Sequence, residues 1–281
     1  MSTPLENKGA PSLEGMFITG SKRKILVIFL AVSFFCGFLL INSLRQKYVV
    51  PILMYHSINP HSNPCIVRLI ISPQCFQRQM RFLKDNRYNV VTLKTLAELI
   101  KNKKKIPPRT LAITFDDGYK DNYTYAFPIL KKYNLPATIF LILNEIGRPQ
   151  NDRLSWGEIK TMRDSGIITF GSHALGPEPL VNIKSEEVLK KEVFDSKRIL
   201  EEALKREVEA FSYPEGRFNA QIRDLVMAAG YGLAVATSPG KKFPNDDIFA
   251  LKRLRISANS ENLLVFWFNT TGFYTFIKEK R

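Results

Sequence analysis

Cysteine, histidine and tryptophan are all scarce in this chain, and each shortage excludes something. Three cysteines occur in 281 residues: Cys36, Cys65 and Cys75. No two of them have metal-ligand spacing, and three are too few for a disulfide-stapled scaffold. Cys65 and Cys75 are placed to close a short loop in an oxidising compartment, and the sequence leaves that open. The histidines are His56, His61 and His173, and none lies beyond His173. Nucleic-acid signatures are missing too: there is no zinc-finger spacing, no ribonucleoprotein-type aromatic box and no helix-turn-helix pattern. Acidic residues are outnumbered, 26 Asp+Glu against 41 Lys+Arg, for a net charge of +15. Strong basicity favours anionic partners in general, but the charge is spread over many segments, so it reads as solvated surface. Internal repeats are absent as well.

What is present is a 45% hydrophobic composition, enough for one large domain with its own core plus a tail. Residues 1–24 are polar, end in Lys22-Arg23-Lys24 and read as a flexible basic tail. Ile25 to Ile41 is almost wholly apolar, about 25 Å long at ~1.5 Å per residue, and its flanks extend it to residue 44. No A-x-A cleavage site follows, so an uncleaved, single-pass transmembrane signal anchor over 25–44 is expected. Basic residues before it favour a cytoplasmic amino terminus and a domain outside the cytoplasm at the cell membrane. A cleaved signal peptide with an unusual site is the competing reading.

From Val49 onward, short β-leaning runs alternate with helical stretches. Strands are expected at 49–56, 90–93, 111–115, 137–143, 167–172, 210–213, 233–237 and 251–256. Helices are expected at 75–86, 95–101, 125–133, 155–165, 185–204 and 219–229. Ser155 and Glu158 have capping-box spacing, and Asn219 is placed as a cap. This alternation predicts parallel βα units, and about seven strands suit a distorted (β/α) barrel better than an open sheet. The main domain is expected at 45–260. Residues 261–281 form an aromatic C-terminal segment, either a packing helix or an interfacial surface.

Polar residues collect just after predicted strands: His56, Asp116 with Asp117, His173, and Tyr213-Pro214-Glu215-Gly216. In a parallel barrel the strand carboxyl ends share one face, so these groups can converge. Each alone also reads as a satisfied structural residue or a turn, and Asp117-Gly118 is a turn pair. Together they read as a hydrolytic site: Asp and His from different strands can hold a divalent metal, and a second carboxylate can act as base.

Thr114-Phe115-Asp116-Asp117-Gly118 resembles the first motif of the polysaccharide deacetylases, the NodB-like carbohydrate esterases. Pro136–Phe140, Leu154-Ser155-Trp156, Gly171-Ser172-His173 and Phe211–Gly216 agree with it in order and spacing. Pro51–His56 resembles the branch that deacetylates poly-N-acetylglucosamine. The resemblance runs from about Pro51 to about Ile256. It implies metal-assisted hydrolysis of N-acetyl (sometimes O-acetyl) groups on a polysaccharide, with zinc as the expected metal and cobalt or nickel as substitutes. By resemblance Asp116 is the base, His56 the acid, and Asp117 and His173 are metal ligands. The Tyr213 N–H joins the oxyanion hole, Trp156 walls the acetyl methyl, and Pro214 and Gly216 line the substrate.

The sequence departs from that family at the second metal histidine, where Pro177 and Glu178 stand. Glu178 is the candidate replacement ligand, since carboxylate oxygens bind zinc. Two readings follow: an active deacetylase, or a catalytically impaired relative that binds glycan or scaffolds an envelope-polysaccharide machine. No nucleic-acid partner is expected, and oligomeric state is open.

Overall fold

The computed structural model describes residues 20–46, 49–60, 69–102, 104–148, 152–237 and 247–272. The chain divides into two compact units between Tyr48 and Val49. The first contains one helix, α1 (Gly20–Gln46), with exposed apolar side chains that include Ile25, Phe29, Phe34 and Phe38. Polar residues open and close this helix, which shortens its apolar centre. Among the described residues no helix is long and apolar enough to cross a membrane. The expected span over 25–44 is therefore not carried by the structure.

The second unit runs, in order, β1 (Ile52–Tyr55), β2 (Ser57–Ile58), β3 (Ile70–Ile71), α2 (Pro73–Asp85), β4 (Asn89–Val90), α3 (Leu93–Lys101) and β5 (Thr110–Phe115). It continues through α4 (Phe127–Tyr133), β6 (Ala137–Leu141), α5 (Trp156–Asp164), β7 (Ile168–Ser172), α6 (Glu186–Leu204), β8 (Ala210–Ser212) and α7 (Ala220–Ala228). It ends with β9 (Leu233–Ala236), β10 (Leu251–Lys252), β11 (Leu254–Arg255) and α8 (Leu263–Asn269).

The helices start where the sequence supplies a cap. Ser72, Thr92, Ser185 and Asn219 each accept from a first-turn N–H, and Ser155 with Glu158 forms a complete capping box. Each such cap is worth about 1 kcal/mol. β1, β5 and β6 are buried along their whole length, as strands covered on both faces must be.

Around the sheet the order is β10-β9-β8-β7-β6-β5-β1-β11, every pairing is parallel, and β4 adds beside β5. β10 and β11 are two halves of one segment, separated by Arg253. β10 pairs with β9 and β11 with β1, so residues 251–255 bridge the two ends of the sheet. Six strands plus this segment make the seven staves of a nearly closed, distorted barrel. Among the described residues β7 and β8 share one register pair, Ser172 to Phe211.

Several details differ from the sequence reading. The strand expected over 251–256 is interrupted at Arg253. The helix expected from Tyr125 begins as a wide turn over Asn122–Ala126 before α4. The small parallel pair β2–β3 was not anticipated. Cys75 is a buried free thiol in the first turn of α2, while Cys65 and His61 lie outside the described residues. α8 belongs to the second unit, because Phe266 is buried with its ring 5.9 Å from that of Phe82.

Candidate active site

β5 delivers Asp116 and Asp117 to the carboxyl mouth of the barrel. Asp116 is buried, at 3% exposure. Its N–H donates to Tyr55 O, which continues the β1–β5 ladder. Asp117 has φ 68 and Gly118 φ 62, so the chain turns sharply out of the strand. A left-handed aspartate is uncommon and costs of order 1 kcal/mol, and such positions cluster at functional sites. Glycine suits position 118, since a side chain there would be strained at φ 62 and its Cβ would press on Leu141 Cδ2 at 2.7 Å.

β7 delivers His173, which is also buried. Its Nδ1 lies 2.7 Å from Ser212 O, and a carbonyl oxygen only accepts, so Nδ1 carries a proton and donates. That leaves Nε2 for the site, 3.6 Å from Asp117 Oδ1 and 3.9 Å from Asp116 Oδ2. Ala174, at φ 65, turns the chain away immediately afterwards.

Sequence reasoning missed Arg253. This side chain is 2% exposed and reaches Asp116 through two parallel bonds, Nη1 to Oδ1 at 2.6 Å and Nη2 to Oδ2 at 2.7 Å. Nη2 also donates to Ser212 Oγ at 2.9 Å, and the guanidinium carbon lies 5.5 Å from the centre of the Phe140 ring. Burial by itself would raise the Asp116 pKa. The charges of Arg253 and then His173, with the hydrogen bonds from Arg253, outweigh burial and hold it at about 2. Asp116 is thus a fixed anion. The available signal was an arginine in the middle of the strand-like run Leu251-Lys252-Arg253-Leu254, at a position that must face the barrel interior.

His56 follows β1 and is buried, and its Nδ1 has no hydrogen-bond partner among the described residues. Burial lowers its pKa more than the attraction of Asp116 and Asp117 raises it, so the ring is neutral near pH 7. Its backbone is clasped from below. Asn122 Nδ2 donates to His56 O at 2.8 Å, while Ser57 Oγ and Ile58 N donate to the Asp121 carboxylate. Burial raises the Asp121 pKa against those bonds.

The remaining expected residues are placed differently. The Tyr213 N–H donates to Val235 O at 3.1 Å, because β8–β9 pairing continues one residue beyond β8. It is therefore not available as an oxyanion donor; the Tyr213 hydroxyl donates to Phe249 O. Pro214 is buried, and Gly216 (φ 69) packs so tightly that a Cβ would lie 2.5 Å from Thr237 N. Trp156 opens α5 with 40% of its surface exposed, next to the segment in which Leu154 N donates to Gly118 O. It stands on the rim, free to meet a ligand.

Glu178 is not brought to the site. It is exposed, and its Oε1 accepts from Asn182 Nδ2 at 2.7 Å. Asp117 and His173 sit at a separation that two donors to one metal ion can adopt, and His173 has the second hydrogen bond that metal-ligating imidazoles use. A catalytic zinc site uses three protein donors. Among the described residues no group of three or more His, Cys, Asp or Glu could hold a metal ion. Among the described residues Asp117 and His173 thus supply two donors, one short of that set.

A family model described as polysaccharide deacetylase matches residues 103–234. The Bacillus subtilis protein YxkH, named as a polysaccharide deacetylase, is 34% identical over 208 residues, 74% of this chain and 71% of its own. The poly-beta-1,6-N-acetyl-D-glucosamine N-deacetylase of Staphylococcus aureus is 28% identical over 208 residues, 70% of this chain and 71% of its own. The solved structure of Streptococcus pyogenes deacetylase PplD in complex with acetate superimposes with a TM-score of 0.69 at 30% identity, over 77% of this chain and 97% of that one. With its nearly closed parallel barrel and paired strand-end aspartates, the chain belongs to the polysaccharide deacetylase family.

Proposed function

We propose that this chain removes acetyl groups from an N-acetylated polysaccharide outside the cytoplasm. The observation that carries the reading is the convergence of Asp116, Asp117 and His173 within 4 Å at the barrel mouth. The Staphylococcus relative's name supports the substrate class. Acetate, bound in the Streptococcus relative, is what such a reaction releases.

In this reading water attacks the amide carbonyl. Asp116, held as a carboxylate by Arg253, orients that water and receives its proton. The C–N bond then breaks, and the departing amine needs a proton to become a workable leaving group. His56 is neutral in the free protein, so it serves as a relay that takes from Asp116 the proton removed from water and passes it to the departing amine. Trp156 on the rim meets the sugar.

Binding without turnover is the second reading. Two findings favour it: a donor set of two, and a base whose two oxygens are both engaged by Arg253. Attachment to a membrane through α1 also belongs to the proposal, supported by its exposed Ile25, Phe29, Phe34 and Phe38.

Acetate release from N-acetylglucosamine oligomers, measured with the full chain and added zinc, cobalt or nickel, tests both. Release that disappears in Asp116→Asn supports the enzyme. Oligomer binding without release sinks it and leaves the binding reading.

A further inference from the structure

Arg253 is followed by a second arginine on the same face of the bridging segment. Side chains alternate along a strand, so residues two apart share a face. Arg253 turns inward onto Asp116 and Ser212, Leu254 is buried, and Arg255 is exposed. The register agrees. Met54 pairs with Thr114 of β5 on one side and with Arg255 of β11 on the other, and such partners share a face. Thr114 Oγ1 lies 3.4 Å from Arg253 Nη1, inside the barrel. Position 255 is therefore on the inner face at the carboxyl mouth, nearer solvent than Arg253. His56, two residues beyond Met54, shares that face. The charge of Arg255 reaches it: burial is the main cause that lowers the His56 pKa, and the charges of Arg253 and Arg255 add to it.

The two arginines differ in what they hold. Arg253 is engaged by both oxygens of Asp116. Among the described residues no carboxylate lies within salt-bridge distance of Arg255. Amide hydrolysis needs a cation or donor at this place. As the water oxygen bonds to the acetyl carbon, the C=O π pair moves onto the carbonyl oxygen, and stabilising that charge is a large part of catalysis. The Tyr213 N–H donates to Val235 O instead. When the intermediate collapses, the pair re-forms C=O and the C–N bond breaks with its electrons on nitrogen. Nitrogen takes the proton relayed by His56, and the acid product ionises to acetate.

We propose that Arg255 meets the oxyanion that forms on the acetyl carbonyl, and then the carboxylate of the departing acetate. This assignment rests on the deacetylase reading of the site. A guanidinium suits both species, because its planar fork can donate two bonds to paired oxygens.

The test has two arms, both on the full chain at one fixed metal concentration. In the first, acetate release from N-acetylglucosamine pentamer is compared in the wild type and Arg255→Gln. The expected result is a kcat lower by on the order of 100-fold with KM within about twofold, the pattern of a contact made only in the transition state. Arg255→Lys should keep part of the rate, and circular dichroism should be the same in all three. An unchanged kcat, or a rise in KM alone, overturns the proposal. The second arm needs no turnover. Methylphosphonate, a tetrahedral anion, is titrated by calorimetry, and Arg255→Gln should weaken its binding by about tenfold or more. If the wild type releases no acetate, the deacetylase reading fails by itself and this arm decides: equal binding by both proteins, or by neither, overturns the anion site at Arg255.

Discussion

Arg253 and Asp116 are joined by two parallel hydrogen bonds of 2.6 and 2.7 Å inside the barrel, although 137 residues separate them in sequence. Arg253 sits where the bridging segment closes the sheet, between its pairings with β9 and β1. One side chain therefore ties barrel closure to the charge state of the candidate base.

Removing one member of that pair should be costly. Arg253→Met leaves a buried carboxylate without its counter-charge, and such losses run to about 3–5 kcal/mol. Urea unfolding should show the drop. Arg253→Lys should recover only part of it, because a lysine cannot supply the planar fork.

The same pair predicts a pH dependence. In the folded protein Asp116 titrates at about 2, against an ordinary value of 3.8. As pH falls the unfolded chain takes up the proton first. The stabilisation is complete above 3.8 and is lost between 3.8 and about 2. The shift corresponds to about 2 kcal/mol. Unfolding free energy measured across that range should fall for the wild type. The part due to Asp116 should be missing in Asp116→Asn.

Glu178 should prove dispensable for metal. Its carboxylate is exposed and bonded to Asn182, so Glu178→Ala should leave any measured zinc affinity unchanged and shift stability by no more than about 0.5 kcal/mol. His173→Ala, by contrast, should lower that affinity. A loss of affinity in Glu178→Ala would mean that this loop closes over the site when metal arrives.

Gly216 should not tolerate a side chain. Gly216→Ala would force a Cβ to 2.5 Å from Thr237 N at φ 69, and the cost should exceed about 1 kcal/mol. A thermal shift measures it. Equal stability would show that the loop after β8 can relax.

Asp121 should act through His56. Asp121→Ala leaves Ser57 Oγ and the Ile58 N–H without their acceptor, a loss on the order of 1–3 kcal/mol. In an acetate-release assay it should also lower kcat and move the pH profile. A change in stability alone would limit Asp121 to a structural role.

Local chemistry is what the amino-acid sequence determined by itself. Apolar runs, serine, threonine and asparagine caps, and alternating strand and helix periods act within a few residues. They gave the parallel α/β barrel, its strand count and the strand-end positions of His56, Asp116, Asp117 and His173. Side-chain direction and the partners of backbone amides are set by contacts between distant segments, and these only the tertiary structure decided. It turned Arg253 inward onto Asp116, used the Tyr213 N–H in the β8–β9 ladder and left Glu178 on the surface with Asn182. Sequence proximity made Tyr213 and Glu178 look available. Barrel closure, which brings residues 251–255 against β1, made Arg253 the partner of the opening aspartate instead.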